Sequence, residues 1–341
     1  MSQQIFDFVI PLYRWRWNTR AVLEGITAHY APRAIHVIAP GPEARLLQQI
    51  SYDWQTAPLY THEEEVFFQN SGLTKDKICA ELELGKSLYT PGWFYQQLLK
   101  LGAPEGIDNL SEWYVVWDSD LLPVATWPLI RQDNQTIQHT FALLQHNQWG
   151  NPNIVSTWAE WIRSVLGVEP VTDSEGTFIP HHLWFKQQHL KSFQQQVSNY
   201  YQSDDHWLLL MMRSALEFGT FSEYWSYISW VSAHAPADIA FYPYPQYGAT
   251  TERFFDDGTG LFSAALRRYQ ATHSKAVEGD FSPSYLEIES FIQAEYGSDS
   301  LPSSLSFESS PRHLKKNKEN MHIEELRSRW NPRPVEVSIA G

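Results

Sequence analysis

The sequence predicts an α/β protein with a mostly parallel central sheet flanked by helices, and three observations carry that expectation. Strand-like stretches at residues 5–12 (IFDFVIPL) and 34–39 (AIHVIA) enclose a helical one at 19–29, a strand–helix–strand order within fifty residues. The alternation resumes with a helix and then a strand at 91–117. Hydrophobic residues make up 43% of the 341 positions, enough for a substantial core.

The elements follow in order. Residues 5–12 are β-branched and aromatic with one interrupting acid, Asp7, and Pro11 closes the run because proline cannot donate to a continuing ladder. The helix at 19–29 carries Ala21, Val22, Ile26 and Ala28, and the strand at 34–39 ends at Pro40-Gly41-Pro42. Residues 43–50 read as a helix. Pro91 stands in a first helical turn, good helix formers run to Leu101, and Gly102-Ala103-Pro104 stops them. Residues 112–117 (EWYVVW) form a strand leading straight into Asp118-Ser119-Asp120. Residues 180–201 start as a loop holding His181 and His182 and become helical. Helices are expected at 204–218, with Asp204 and Asp205 in the first turn, and at 221–234.

Composition narrows the functions. Twenty-five Lys and Arg against 39 Asp and Glu give a formal charge of −14, which argues against a general nucleic-acid binder. Fifteen Trp, 17 Tyr and 18 Phe suit stacking on flat, half-polar ligands such as sugars and bases. Cys79 is the only cysteine, so no intrachain disulfide, zinc finger or iron–sulfur cluster is expected. With neither a signal-peptide pattern nor a run of about 18 apolar residues, the expected location is cytoplasmic.

The C-terminal stretch differs. Seven of the thirteen residues 298–310 are serine, which predicts a linker, and 311–333 carry a net +4. The expected division is one domain over 1–296 and a linker with a basic tail over 297–341. Such a tail suits contact with anionic lipid headgroups at the inner face of a membrane, or with an acidic partner.

The sharpest motif is Asp118-Ser119-Asp120. Side chains two apart in an extended chain point to the same side, so both carboxylates can converge on a hard divalent cation, Mg²⁺ or Mn²⁺. Such an ion neutralises a diphosphate and acts as a Lewis acid as it leaves. A turn-capping pair of aspartates is the alternative.

Five stretches together resemble a nucleotide-diphospho-sugar glycosyltransferase of the GT-A type, within a poorly characterised bacterial group. They are FDFVIPLY (6–13), PGWFYQQLLKL (91–101), VVWDSDLLP (115–123), FIPHHLWF (178–185) and FSEYWSY (221–227). The resemblance implies a Rossmann-like single domain, a metal-bound nucleotide-sugar donor and a glycan or other hydroxyl acceptor, in surface polysaccharide synthesis. It places Pro11 and Tyr13 beside the nucleoside, Asp118 nearer the ribose and Asp120 as the more direct metal ligand. A late histidine, His234, would be a third ligand.

Other roles come from residue chemistry. Gln96 and Lys100 share a helix face four residues apart, with Gln97 beside them, and can offer amide donors and a positive charge. Of His181 and His182, which point in different directions, His182 is favoured to bind the cation, phosphate or sugar. Glu223 is the candidate base for an inverting transfer, taking the acceptor hydroxyl's proton; a first-turn acid behind a Ser222 N-cap is its plain structural reading. Two other classes compete. A nucleotidyltransferase would carry a glycine-rich loop after the first strand, and residues 12–17 (LYRWRW) hold no glycine. A non-catalytic carbohydrate-binding protein would not need the aspartate pair.

Overall fold

In the computed structural model the described residues are 6–82, 89–133, 136–145, 152–171, 176–177, 181–243, 252–255, 259–272, 282–296 and 304–308. The basic segment 311–341 and residues 178–180 lie outside them. In chain order the elements begin β1 (Asp7–Pro11), α1 (Thr19–Tyr30), β2 (Ala34–Ala39), α2 (Gly41–Ile50), β3 (Leu59–Glu63), α3 (Lys75–Cys79), α4 (Pro91–Leu101) and α5 (Ala103–Gly106). Next come β4 (Trp113–Trp117), β5 (Leu121–Pro123), β6 (Ile130–Asp133), β7 (Thr136–Gln145), α6 (Pro152–Trp161), β8 (Gly176–Thr177), β9 (His182–Lys186) and α7 (Gln187–Tyr201). The rest are α8 (Trp207–Phe218), α9 (Glu223–His234), β10 (Ile239–Pro243), β11 (Glu252–Phe255), α10 (Thr259–Thr272), α11 (Tyr285–Tyr296) and β12 (Ser304–Glu308).

The fold is α/β with a mostly parallel central sheet, and the chain divides into two compact units. One unit comprises 1–15, 31–119 and 128–247; the other comprises 16–30, 120–127 and 248–341.

The first unit holds the central sheet, ordered β3-β2-β1-β4-β9. Strands β1 to β4 are mutually parallel and β9 runs antiparallel against β4. Every residue of β1 and β2 is buried, which is why both read as nearly unbroken apolar runs. The interrupting acid of β1, Asp7, is buried but satisfied. Arg33 Nε donates to its Oδ1 at 2.8 Å and Ser111 N to its Oδ2 at 2.9 Å. The β4–β9 pairing runs from Trp113 opposite Lys186 to Trp117 opposite His182, so His182 lies in a strand where a loop was expected. Thr90 caps α4 by accepting from Trp93 N, and Pro91 opens the helix, where its missing N–H costs nothing. Helix α8 begins only at Trp207, with His206 as its N-cap, leaving Asp204 and Asp205 exposed ahead of the helix.

In the second unit β12 pairs parallel with β11 and antiparallel with β5. This overturns the linker expectation for residues 304–308. Ser304, Leu305, Ser306 and Phe307 are all buried, and their alternation of small polar and apolar side chains is a strand's period rather than a linker's. Gly25 lets α1 meet its neighbours closely, since a Cβ there would fall 2.8 Å from the Tyr285 ring and 3.0 Å from Pro123.

One histidine pair in the first unit sets an acid limit on stability. His36 on β2 stacks against Tyr60, and its Nδ1 lies 3.1 Å from His62 Nε2. Burial, and next the neighbouring His62, push the His36 imidazole down to about 4; burial also lowers His62. A depressed imidazole contributes stability above its ordinary value of 6.5 and loses it as pH falls from there toward 4. Thermal melts are therefore expected to drop over that window, and less steeply in His36→Leu. An unchanged slope in the variant would place the acid-sensitive group elsewhere.

Candidate functional site

The order of the central sheet locates its crevice. From β1 the chain moves outward through β2 and β3, then returns to place β4 on the other side of β1. Ligands of open α/β sheets gather at the carboxyl ends of strands flanking such a reversal. Val9 pairs with Val116, and Pro11 and Asp118 each stand two residues beyond, at the same level of the two neighbouring strands.

A charged cluster occupies the end of β4. The Lys100 Nζ ammonium, on the last turn of α4, lies 2.7 Å from Asp118 Oδ1 and 2.6 Å from Glu223 Oε1. Tyr224 OH donates to the same Asp118 Oδ1 at 2.8 Å, and His181 Nδ1 lies 3.1 Å from Oδ2. The ammonium also sits 4.3 Å from the centre of the Tyr224 ring, a cation–π contact. Lys100 is 4% exposed and Glu223 7%.

The local sequence explains how these groups arrive. Gly102 caps α4 two residues after Lys100, and buried Phe94, Tyr95, Leu98 and Leu99 seat the helix among β1, α8 and α9. Helix α9 starts at Glu223 because Ser222 caps it, accepting from Trp225 N. The Gln97 Oε1 then accepts from Glu223 N at 3.0 Å, fixing the start of α9 against α4. His181 adopts a left-handed backbone (φ 64°), and its carbonyl accepts from Asp118 N at 2.9 Å. That conformation is uncommon for a residue with a side chain; here it delivers both the backbone and the ring of one residue to Asp118.

Charge states follow from the contacts. Burial pushes the Asp118 carboxyl up, but Lys100 and then His181 outweigh it and hold the group far below the usual carboxylate range. Burial works against the Lys100 ammonium, yet Asp118 and Glu223 raise it above its ordinary value. The lysine stays charged and Asp118 ionised at neutral pH.

Five of the residues expected from sequence thus meet: Gln97, Lys100, Asp118, His181 and Glu223. It is Gln97, three residues before Lys100, that joins it at Glu223, while Gln96 is half-buried. His181, not the favoured His182, reaches Asp118; His182 is buried with its ring 4.8 Å from that of Trp117. Pro11 is buried at the end of β1 and Tyr13 is 76% exposed. His234 is exposed at the far end of α9, where Nδ1 contacts the Trp230 carbonyl. It stands ten residues from Tyr224, about 15 Å at the helical rise. Asp120 belongs to the second unit, where its carbonyl accepts from Phe307 N at 2.9 Å. Tyr224 is the one member without a sequence signal, because nothing in FSEYWSY marks which aromatic faces a carboxylate.

The donor set does not suit a divalent cation. Among the described residues no group of three or more His, Cys, Asp or Glu side chains is placed to hold a metal ion. Asp118 Oδ1 already receives an ammonium and a phenol. A dication bound to it would stand about 4 Å from Lys100 Nζ, a repulsion of roughly 8 kcal/mol at an effective dielectric of ~20. The residues around Asp118 fit an ammonium and do not fit a dication.

A family model covers most of the chain, matching residues 18–278. The chain belongs to DUF6492, a family of unknown function. No curated protein matches the sequence. Several solved structures are similar to this DUF6492 member at low scores. Mouse xyloside xylosyltransferase 1 in its apo form shares 10% identity at a TM-score of 0.40, covering 79% of this chain and 93% of its own. The apo WbbM bifunctional glycosyltransferase shares 11% at 0.39, covering 90% of this chain and 46% of its own. The apo form of GlyE from Streptococcus pneumoniae TIGR4 shares 10% at 0.38, covering 96% and 60%. The chain thus spans about half of the WbbM structure. Among its described residues no helix is long and apolar enough to cross a membrane.

Proposed function

We propose that this chain transfers a glycosyl group from a nucleotide-diphospho-sugar to a hydroxyl acceptor. The observation that carries the reading is the Asp118–Lys100–Glu223 cluster at the carboxyl end of β4, beside the strand-order reversal. Glu223 supplies the proton acceptor. Lys100 holds its Oε1, and among the described residues no hydrogen bond reaches Oε2. The acceptor oxygen attacks the anomeric carbon as the bond from that carbon to the diphosphate oxygen breaks. The bonding pair leaves with the diphosphate, and the hydroxyl proton passes to Glu223 Oε2. A single displacement of this kind inverts the anomeric centre. The five matching stretches of sequence and the aromatic loop holding Tyr13 support a nucleoside-bearing donor.

A thermal-shift screen of nucleotide-diphospho-sugars tests this, each run with EDTA and with Mn²⁺. A ligand at 100 times its Kd stabilises the folded chain by about 2.7 kcal/mol, a readily measured rise in Tm. At least one nucleotide sugar is expected to give that rise. Stabilisation by free glycans with none by nucleotide sugars would overturn the reading in favour of a carbohydrate-binding protein.

A further inference from the structure

We infer that the Lys100 ammonium is the resident cation of this site and that Asp118 is committed to it rather than to a divalent metal. The Asp-x-Asp motif suggests a metal ligand, and the tertiary surroundings of Asp118 argue otherwise. Its two oxygens meet three side-chain groups from three separate parts of the chain: Lys100 on α4, Tyr224 on α9 and His181 ahead of β9. The ammonium bridges Asp118 to Glu223, the position a shared dication would take between two carboxylates. The Tyr224 ring covers a further face of the same ammonium, a contact suited to a compact monovalent cation. Among the described residues no group of three or more His, Cys, Asp or Glu side chains is placed to hold a metal ion, and His234 stands at the far end of α9.

The assignment rests on this geometry; its consequence, donor binding with no ion on Asp118, rests on the glycosyl-transfer reading. The test keeps the two apart because it uses Mn²⁺ alone, without nucleotide. Mn²⁺ is titrated into the full chain, and the free ion is followed by electron paramagnetic resonance in wild type, Asp118→Asn and Lys100→Met. In wild type no ion is expected on Asp118, so its binding curve overlays that of Asp118→Asn. Lys100→Met removes the ammonium and frees two carboxylates; it is expected to take up one Mn²⁺ that wild type does not. One Mn²⁺ bound by wild type and lost in Asp118→Asn overturns the inference, whether or not Lys100→Met folds. An ion bound equally by both lies away from Asp118 and supports it. Failure of every sugar nucleotide in the thermal screen would remove the transfer reading and leave the cation assignment standing.

Discussion

Lys100→Met is expected to lower the stability of the folded chain by about 3–5 kcal/mol at neutral pH, the range for breaking a buried ion pair from one side. The methionine fills most of the lysine's volume, so the loss comes from charge. Asp118 and Glu223 are left facing each other without the ammonium that lies within 2.7 Å of both. The pH dependence separates this from a packing defect. In wild type the depressed Asp118 carboxyl contributes stability above its ordinary value near 3.9, and loses it as pH falls through the lower folded value. In the variant no ammonium favours the ionised Asp118, so that stability is already missing at neutral pH. The gap between the proteins therefore shrinks as pH falls below that ordinary value. Chemical denaturation at pH 7 and at about pH 2, below the ordinary carboxylate range, is the measurement. A gap that stays constant would assign the loss to packing and withdraw the charge argument.

Glu223→Gln is expected to reduce transfer by about 10²–10⁴-fold while leaving donor-induced stabilisation intact. The amide keeps the shape of the carboxylate, and its oxygen can still accept from Lys100, so α9 holds its place. What it loses is the ability to take a proton at the second oxygen. The discriminating readout pairs diphosphate release with the donor's thermal shift in the same protein. A variant with wild-type turnover would move the proton acceptor to another residue or show that the anomeric configuration is retained. Loss of both transfer and donor binding would instead make Glu223 part of the donor's seat.

Local physics made much of the fold legible in advance. Strands β1, β2 and β4 are covered on both faces, so burial alone required the apolar runs that mark them. Helix α4 announces itself by Pro91 and Gly102, each with a backbone reason for its position. Strand β12 was hidden because its serines are buried against neighbouring strands, a fact that composition cannot express. The start of α8 was misplaced because Asp204 and Asp205 carry the signature of a first helical turn while His206 performs the capping.

The candidate site divides along the same line. Sequence by itself determined which chemistry was available: two acids after a buried strand, a lysine and two glutamines on one helix, a histidine pair, and a glutamate opening another helix. Only the tertiary structure decided which of them meet. Lys100 and Glu223 are 123 positions apart, and the choice of Gln97 over Gln96 depends on which side of α4 receives α9. The choice of His181 over His182 depends on a left-handed residue ahead of an antiparallel strand. Short-range preferences act through a residue's own backbone and so can be read along the chain. Ion pairing in a low-dielectric interior depends on distances that exist only once separate segments have packed.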